Sequence, residues 1–81
     1  MKAIEVKYMS ATTHRGVHYK AKAEGWGTLM KPRDYSLDGI EDAKQAAYEL
    51  LKRECKWSQN YELIDGTLPN GNYVFCLRSV L

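Results

Sequence analysis

Val17-His18-Tyr19-Lys20-Ala21-Lys22-Ala23-Glu24 alternates between apolar and mainly charged side chains, the period of two that turns one set toward a core and the other toward a free surface. The stretch predicts a half-buried strand with Val17, Tyr19, Ala21 and Ala23 inward and His18, Lys20, Lys22 and Glu24 outward. Upstream, Ile4, Val6 and Tyr8 alternate with Glu5, Lys7 and Met9 and predict a strand over residues 2–9. The small and polar residues 10–16, ending in Gly16, form the connecting loop. Downstream, Gly25-Trp26-Gly27 marks a turn. Thr28-Leu29-Met30-Lys31 follows as a short third strand that Pro32 ends, because proline has no N–H for the ladder.

The periodicity then changes. Ile40, Ala43, Ala47, Leu50 and Leu51 recur at the spacing of one helical face, while Glu41, Lys44, Gln45, Tyr48, Lys52 and Arg53 fall mainly elsewhere. Asp38 with Glu41 three residues later has capping-box spacing, so the helix is predicted from Gly39 to about Cys55. Beyond it, Asn70-Gly71 between two β-rich runs predicts a hairpin closed by a two-residue turn. Counting outward from that turn pairs Leu68 with Tyr73, Gly66 with Phe75 and Ile64 with Leu77 on the core face, leaving Leu63, Val74, Cys76 and Val80 on the back. Tyr8, Tyr19 and Tyr73 fall on inner faces. The expected fold class is α+β: an antiparallel sheet of about five strands with one helix packed on one face, in the order β-β-β-α-β-β.

A chain of 81 residues has room for one core, so residues 1–81 are read as a single domain. With 44% hydrophobic and 27% charged residues it has globular rather than disordered composition. So small a core supplies a net stability of only about 3 to 5 kcal/mol, which keeps a homodimer among the expectations. Cys55 and Cys76 belong to no CxxC or Cys/His spacing and read as reduced thiols. The first residues alternate charge with apolar character and contain neither a signal-peptide run nor a membrane span, so a cytoplasmic protein, with no membrane partner, is expected.

Charge is uneven along the chain. Residues 1–33 carry seven Lys/Arg against two acids, although the net charge of the whole is only +2. Lys7, Lys20 and Lys22, with His18 beside them and Arg15 in the loop, are expected to share one sheet surface, and Trp26 adjoins the end of the basic strand. These six residues are the candidate partner-binding set, suited to phosphate oxygens or an acidic protein. Exposed lysines also solubilise a sheet face, and Trp26 has the alternative of folding over the core. Trp57 is expected to close the core at the end of the helix. GxSxG, P-loop, GxGxxG and HExxH motifs are absent, and His14 and His18 lie in a loop and strand where their spacing of four does not make a ligand pair. No catalytic residue, metal or cofactor is therefore expected.

Lys7-Tyr8, Thr12, Arg15-Gly16 and Lys20-Ala21, followed by Asp34-Tyr35-Ser36-Leu37, resemble a group of small proteins encoded by phages and other bacterial mobile elements. The resemblance covers about the first half of the chain. Where those relatives often carry Gly-Pro-Thr-Asn, this chain has Ser10-Ala11-Thr12-Thr13. The resemblance implies a phage accessory protein of anti-CRISPR type, which binds and inhibits a CRISPR-Cas defence complex in the host cytoplasm by obstructing nucleic-acid access. The alternative is a direct nucleic-acid-binding module that uses the same basic face, with Arg15, Lys20 and Lys22 on phosphates and Trp26 or His18 on a base.

Overall fold

The alternation of the first three strand segments becomes a meander in the computed structural model, which describes residues 3–11, 16–56 and 58–80. β1 (Ala3–Met9), β2 (His18–Ala23) and β3 (Gly27–Pro32) pair in succession, antiparallel. α1 (Gly39–Glu54) then crosses the sheet, and a single turn at Ser58–Asn60 leads into β4 (Tyr61–Thr67) and β5 (Tyr73–Ser79). β5 inserts beside β1 rather than beside β3, so the five-stranded order is β3-β2-β1-β5-β4. The expected α+β architecture is thus found, with the first strand at the centre of the sheet and β3 and β4 at its edges.

The core lies between the sheet and α1. Ile4, Val6, Ala21, Phe75, Ala43, Ala46, Ala47, Leu50 and Leu51 are fully buried, with Tyr19, Leu63 and Leu77 nearly so. Alanines on the helix face let its backbone approach the sheet closely, and the two leucines fill the remaining depth; burying each such leucine is worth about 1.5 to 3 kcal/mol. Tyr8 lies on the inner side, as its register opposite Tyr19 requires. It sits beyond the reach of the helix, 51% exposed, with its ring edge-on to Tyr19 at 5.6 Å.

α1 begins at Gly39 as expected, yet the Asp38 side chain makes no capping hydrogen bond. Glu41 and Asp42 in the first turn and Lys52 and Arg53 in the last complement the helix dipole instead. Ile40, expected on the buried stripe, is 38% exposed at its margin, and Asp42 is fully buried.

The hairpin differs from expectation by one residue. Thr67 pairs with Tyr73, Ile64 with Cys76 and Leu63 with Leu77. Gly71 donates to the Leu68 carbonyl at 2.9 Å, Leu68 donates to that of Asn72 at 2.8 Å, and Gly71 has φ +89°. The loop is therefore the three-residue Pro69-Asn70-Gly71, a turn followed by a glycine in the left-handed region. The physical reason is Pro69. A two-residue Asn-Gly turn would need the Pro69 N–H to bond across the closing pair, and proline has none. A one-residue shift exchanges the faces of β4, so Leu63 enters the core and Ile64, expected inside, is 42% exposed on the back.

Candidate partner-binding face

The helix covers one side of the sheet, and among the described residues no element covers the other. Register fixes what this bare face presents. Lys7 of β1 stands directly opposite Lys20 of β2, and the next pair along is Glu5 with Lys22. Lys22 Nζ lies 3.9 Å from Glu5 Oε1, while Asn72 Nδ2 donates to Glu5 Oε2 at 2.9 Å. The Lys22–Glu5 contact is solvent-exposed and worth at most about 1 kcal/mol. Lys7 and Lys20 form no ion pair among the described residues. Together with Glu5, Met9, Lys22 and Asn72 they line a shallow depression of about 120 Å³, large enough for a carboxylate or phosphate group.

Three of the six expected site residues are thus brought together: Lys7, Lys20 and Lys22. Arg15 lies outside the described residues, as do His14 and Trp57. His18, expected to be exposed on this face, is only 5% exposed. The physical reason is its register between Met9 of β1 and Pro32 of β3, together with a bond from its Nδ1 to the Gly16 carbonyl oxygen at 2.8 Å. Its ring is closed to a partner in this conformation. Trp26 is half-buried and packs against the core, and its carbonyl accepts from Arg53 Nη2 at 2.9 Å. It follows the alternative of folding over the core.

On the β5–β4 side the bare face turns apolar. Ile64 and Val80 are exposed and Val74 and Cys76 half-buried, so Ile64 takes the place expected for Leu63. Met30, opposite Lys20 on β3, adds an exposed apolar side chain on the far side. The face combines a cationic centre with apolar flanks.

The alternation did not disclose the buried charge cluster at the junction of β3 and α1. Asp42, fully buried, accepts from Lys31 Nζ, from Arg33 Nη1 at 2.8 Å and from the Asp34 N–H at 2.8 Å. Burial pushes its carboxyl up, but the bonds from Lys31, Asp34 and Arg33 outweigh this and hold it below the ordinary carboxylate value. Bonding to Asp42 in turn raises the pKa of Arg33. Asp34 is lowered in its own way, by the hydroxyl and N–H of Ser36. With its oxygens engaged by three donors, Asp42 latches the β3–α1 connection to the helix. The signal was present in the sequence: Asp42, Ala46 and Leu50 recur every four residues, which puts an acid on the apolar stripe.

Among the described residues, no group of three His, Cys, Asp or Glu side chains is placed to hold a metal ion, and no helix is long and apolar enough to cross a membrane. Comparison with protein-family models, curated proteins and solved structures gives no match.

Proposed function

We propose that the bare sheet face docks on an acidic, partly apolar protein surface, and that this surface belongs to a bacterial defence complex whose nucleic-acid path the bound protein obstructs. The observation that carries the docking site is the cross-strand pair Lys7–Lys20. Like charges directly opposite each other destabilise a sheet, so stability alone gives no reason for both lysines, whereas a carboxylate or phosphate from outside would fit between them. The apolar flank of Ile64, Val74 and Cys76 favours a protein partner over bare nucleic acid, as does the absence, among the described residues, of an aromatic stacking group at the lysines, with His18 and Trp26 both withdrawn. The choice of a defence complex rests on the resemblance of the first half of the chain to phage-encoded proteins.

Affinity capture from bacterial lysate, with and without nuclease treatment, tests this reading. The expected result is a stoichiometric protein complex that survives nuclease and is lost with Lys20→Glu while the variant stays folded. Recovery of nuclease-sensitive material alone, with log affinity falling linearly against log salt on unrelated sequences, would transfer the face to direct nucleic-acid binding. Full capture by Lys20→Glu removes the basic face from either role.

A further inference from the structure

The two edges of the sheet are treated differently. At β3, the bond from the Arg33 N–H to the Val17 carbonyl at 3.1 Å sets the phase of the ladder. Residues 27, 29, 31 and 33 therefore turn their backbone groups toward β2, and 28, 30 and 32 turn theirs outward. Half of those outward groups are bonded or absent, leaving the Thr28 N–H and the two Met30 groups. Arg53 of α1 donates to the Thr28 carbonyl at 3.0 Å, Pro32 has no N–H, and its carbonyl accepts from Lys31 Nζ at 3.2 Å. These are the devices by which an edge strand is protected from pairing.

Among the described residues, β4 has no such protection. The bonds Val80 N–H to Asn60 carbonyl and Leu68 N–H to Asn72 carbonyl fix its phase. Even-numbered residues face β5, and Tyr61, Leu63, Asp65 and Thr67 turn N–H and C=O to the open edge. None of these backbone groups is bonded by another described residue, and the strand runs for seven residues without proline.

We propose that this edge pairs with the same edge of a second copy, antiparallel, across a two-fold axis that passes through Ile64. The register is self-complementary. Centred on residue 64, it sets Leu63 against Asp65 and Tyr61 against Thr67 of the other copy, so that every outward-turned residue meets another outward-turned one and the ladder closes over the full length of β4. Ile64, exposed in the single chain, meets its own equivalent, and Glu62 meets Gly66, so no like charges stand directly opposite. Shifting the centre by one residue to Asp65 would set two carboxylates face to face, which selects against that register. The axis is perpendicular to the sheet, so the bare faces of both copies lie side by side in one ten-stranded sheet.

Sedimentation of the wild-type chain and of Asp65→Pro decides the matter. Residue 65 turns its N–H outward, so proline there spares the β4–β5 ladder, removes the intermolecular bond that this N–H donates, twice per symmetric dimer, and sets a ring against the partner strand next to the axis. The expected outcome is a wild-type dimer at tens of micromolar and a folded, monomeric variant. Because proline carries some risk to folding, a second test uses Ile64→Cys in a Cys76→Ser background, Cys76 being the cross-strand neighbour of residue 64. A non-hydrogen-bonded pair on the axis brings the two Cα atoms to about 4.5 Å, within disulfide range, so mild oxidation should cross-link most of the protein, and Glu62→Cys in the same background should cross-link several-fold less. A monomeric wild type, or equal cross-linking from the two positions, overturns the proposal. The same holds for a β4 edge that engages only a foreign strand while the chain itself remains monomeric.

Discussion

Replacing Asp42 with alanine removes a carboxylate that is fully buried and holds three donors, two of them cations whose side chains are only 16% exposed. Removing one partner of a buried ion pair costs about 3 to 5 kcal/mol, because the other charge is left without compensation. Lys31 and Arg33 keep some contact with water, which places the expected loss near the lower end, about 3 kcal/mol. At roughly 4 to 8 °C per kcal/mol for a domain of this size, the midpoint of thermal unfolding should fall by about 12 to 24 °C. The effect carries a pH signature. The folded-state pKa of Asp42 lies below its unfolded value, so the carboxylate contributes stability in full above the unfolded value of about 3.9 and loses it as pH falls through the folded one. Urea unfolding of wild type and Asp42→Ala, followed by circular dichroism from pH 7 down to pH 3, should show a gap that is widest at neutral pH and narrows below about pH 4. A gap under about 1 kcal/mol at pH 7 would refute the latch, and so would one that keeps its size in acid.

Leu50→Ala empties a fully buried position between helix and sheet and should destabilise by about 2 to 5 kcal/mol in the same urea assay; a loss below 1 kcal/mol would mean that the helix does not seat as described. Lys20→Glu converts the like-charge pair with Lys7 into an attractive one and should raise stability by about 0.2 to 1 kcal/mol, an effect that high salt should diminish; a drop in stability would contradict the register of β1 and β2. Pro69→Ala restores the N–H that the two-residue turn lacks and should admit the alternative register of β4. Doubled amide resonances for residues 61–67 in an NMR spectrum are expected, and a single unshifted set would show that proline does not select the register.

Strand positions, the helix and the cationic centre could be read from the sequence because each rests on a repeating pattern that the fold has to respect. Lys7, Lys20 and Lys22 reach the bare face through the same period of two that buries Ile4, Val6, Tyr19 and Ala21. What escaped depended on single atoms or on neighbours distant in sequence. The register of β4 turns on one missing hydrogen at Pro69, which the adjacent Asn-Gly signal masks. His18 is buried because register places Met9 and Pro32 on either side of it, which alternation along β2 alone does not reveal. Asp42 is tolerated on the apolar stripe because Lys31 and Arg33 arrive from β3, an element whose path past the helix is set by tertiary packing rather than by spacing.

The central place of β1 bears on how the chain is made. β1 leaves the ribosome before the other four strands, yet one of its flanks is completed only by β5, through pairs such as Ile4 with Phe75. During synthesis the meander of the first three strands can form, but Ile4 and Val6 remain without Phe75, and the helix has only part of its seat. Until β5 has cleared the exit tunnel, β1 is an edge strand, paired with β2 on one flank and open on the other, with apolar side chains of the kind that chaperones recognise. Closure of the sheet is therefore a late, long-range event, and its rate should follow the arrival of β5 beside β1 rather than the speed at which the helix forms.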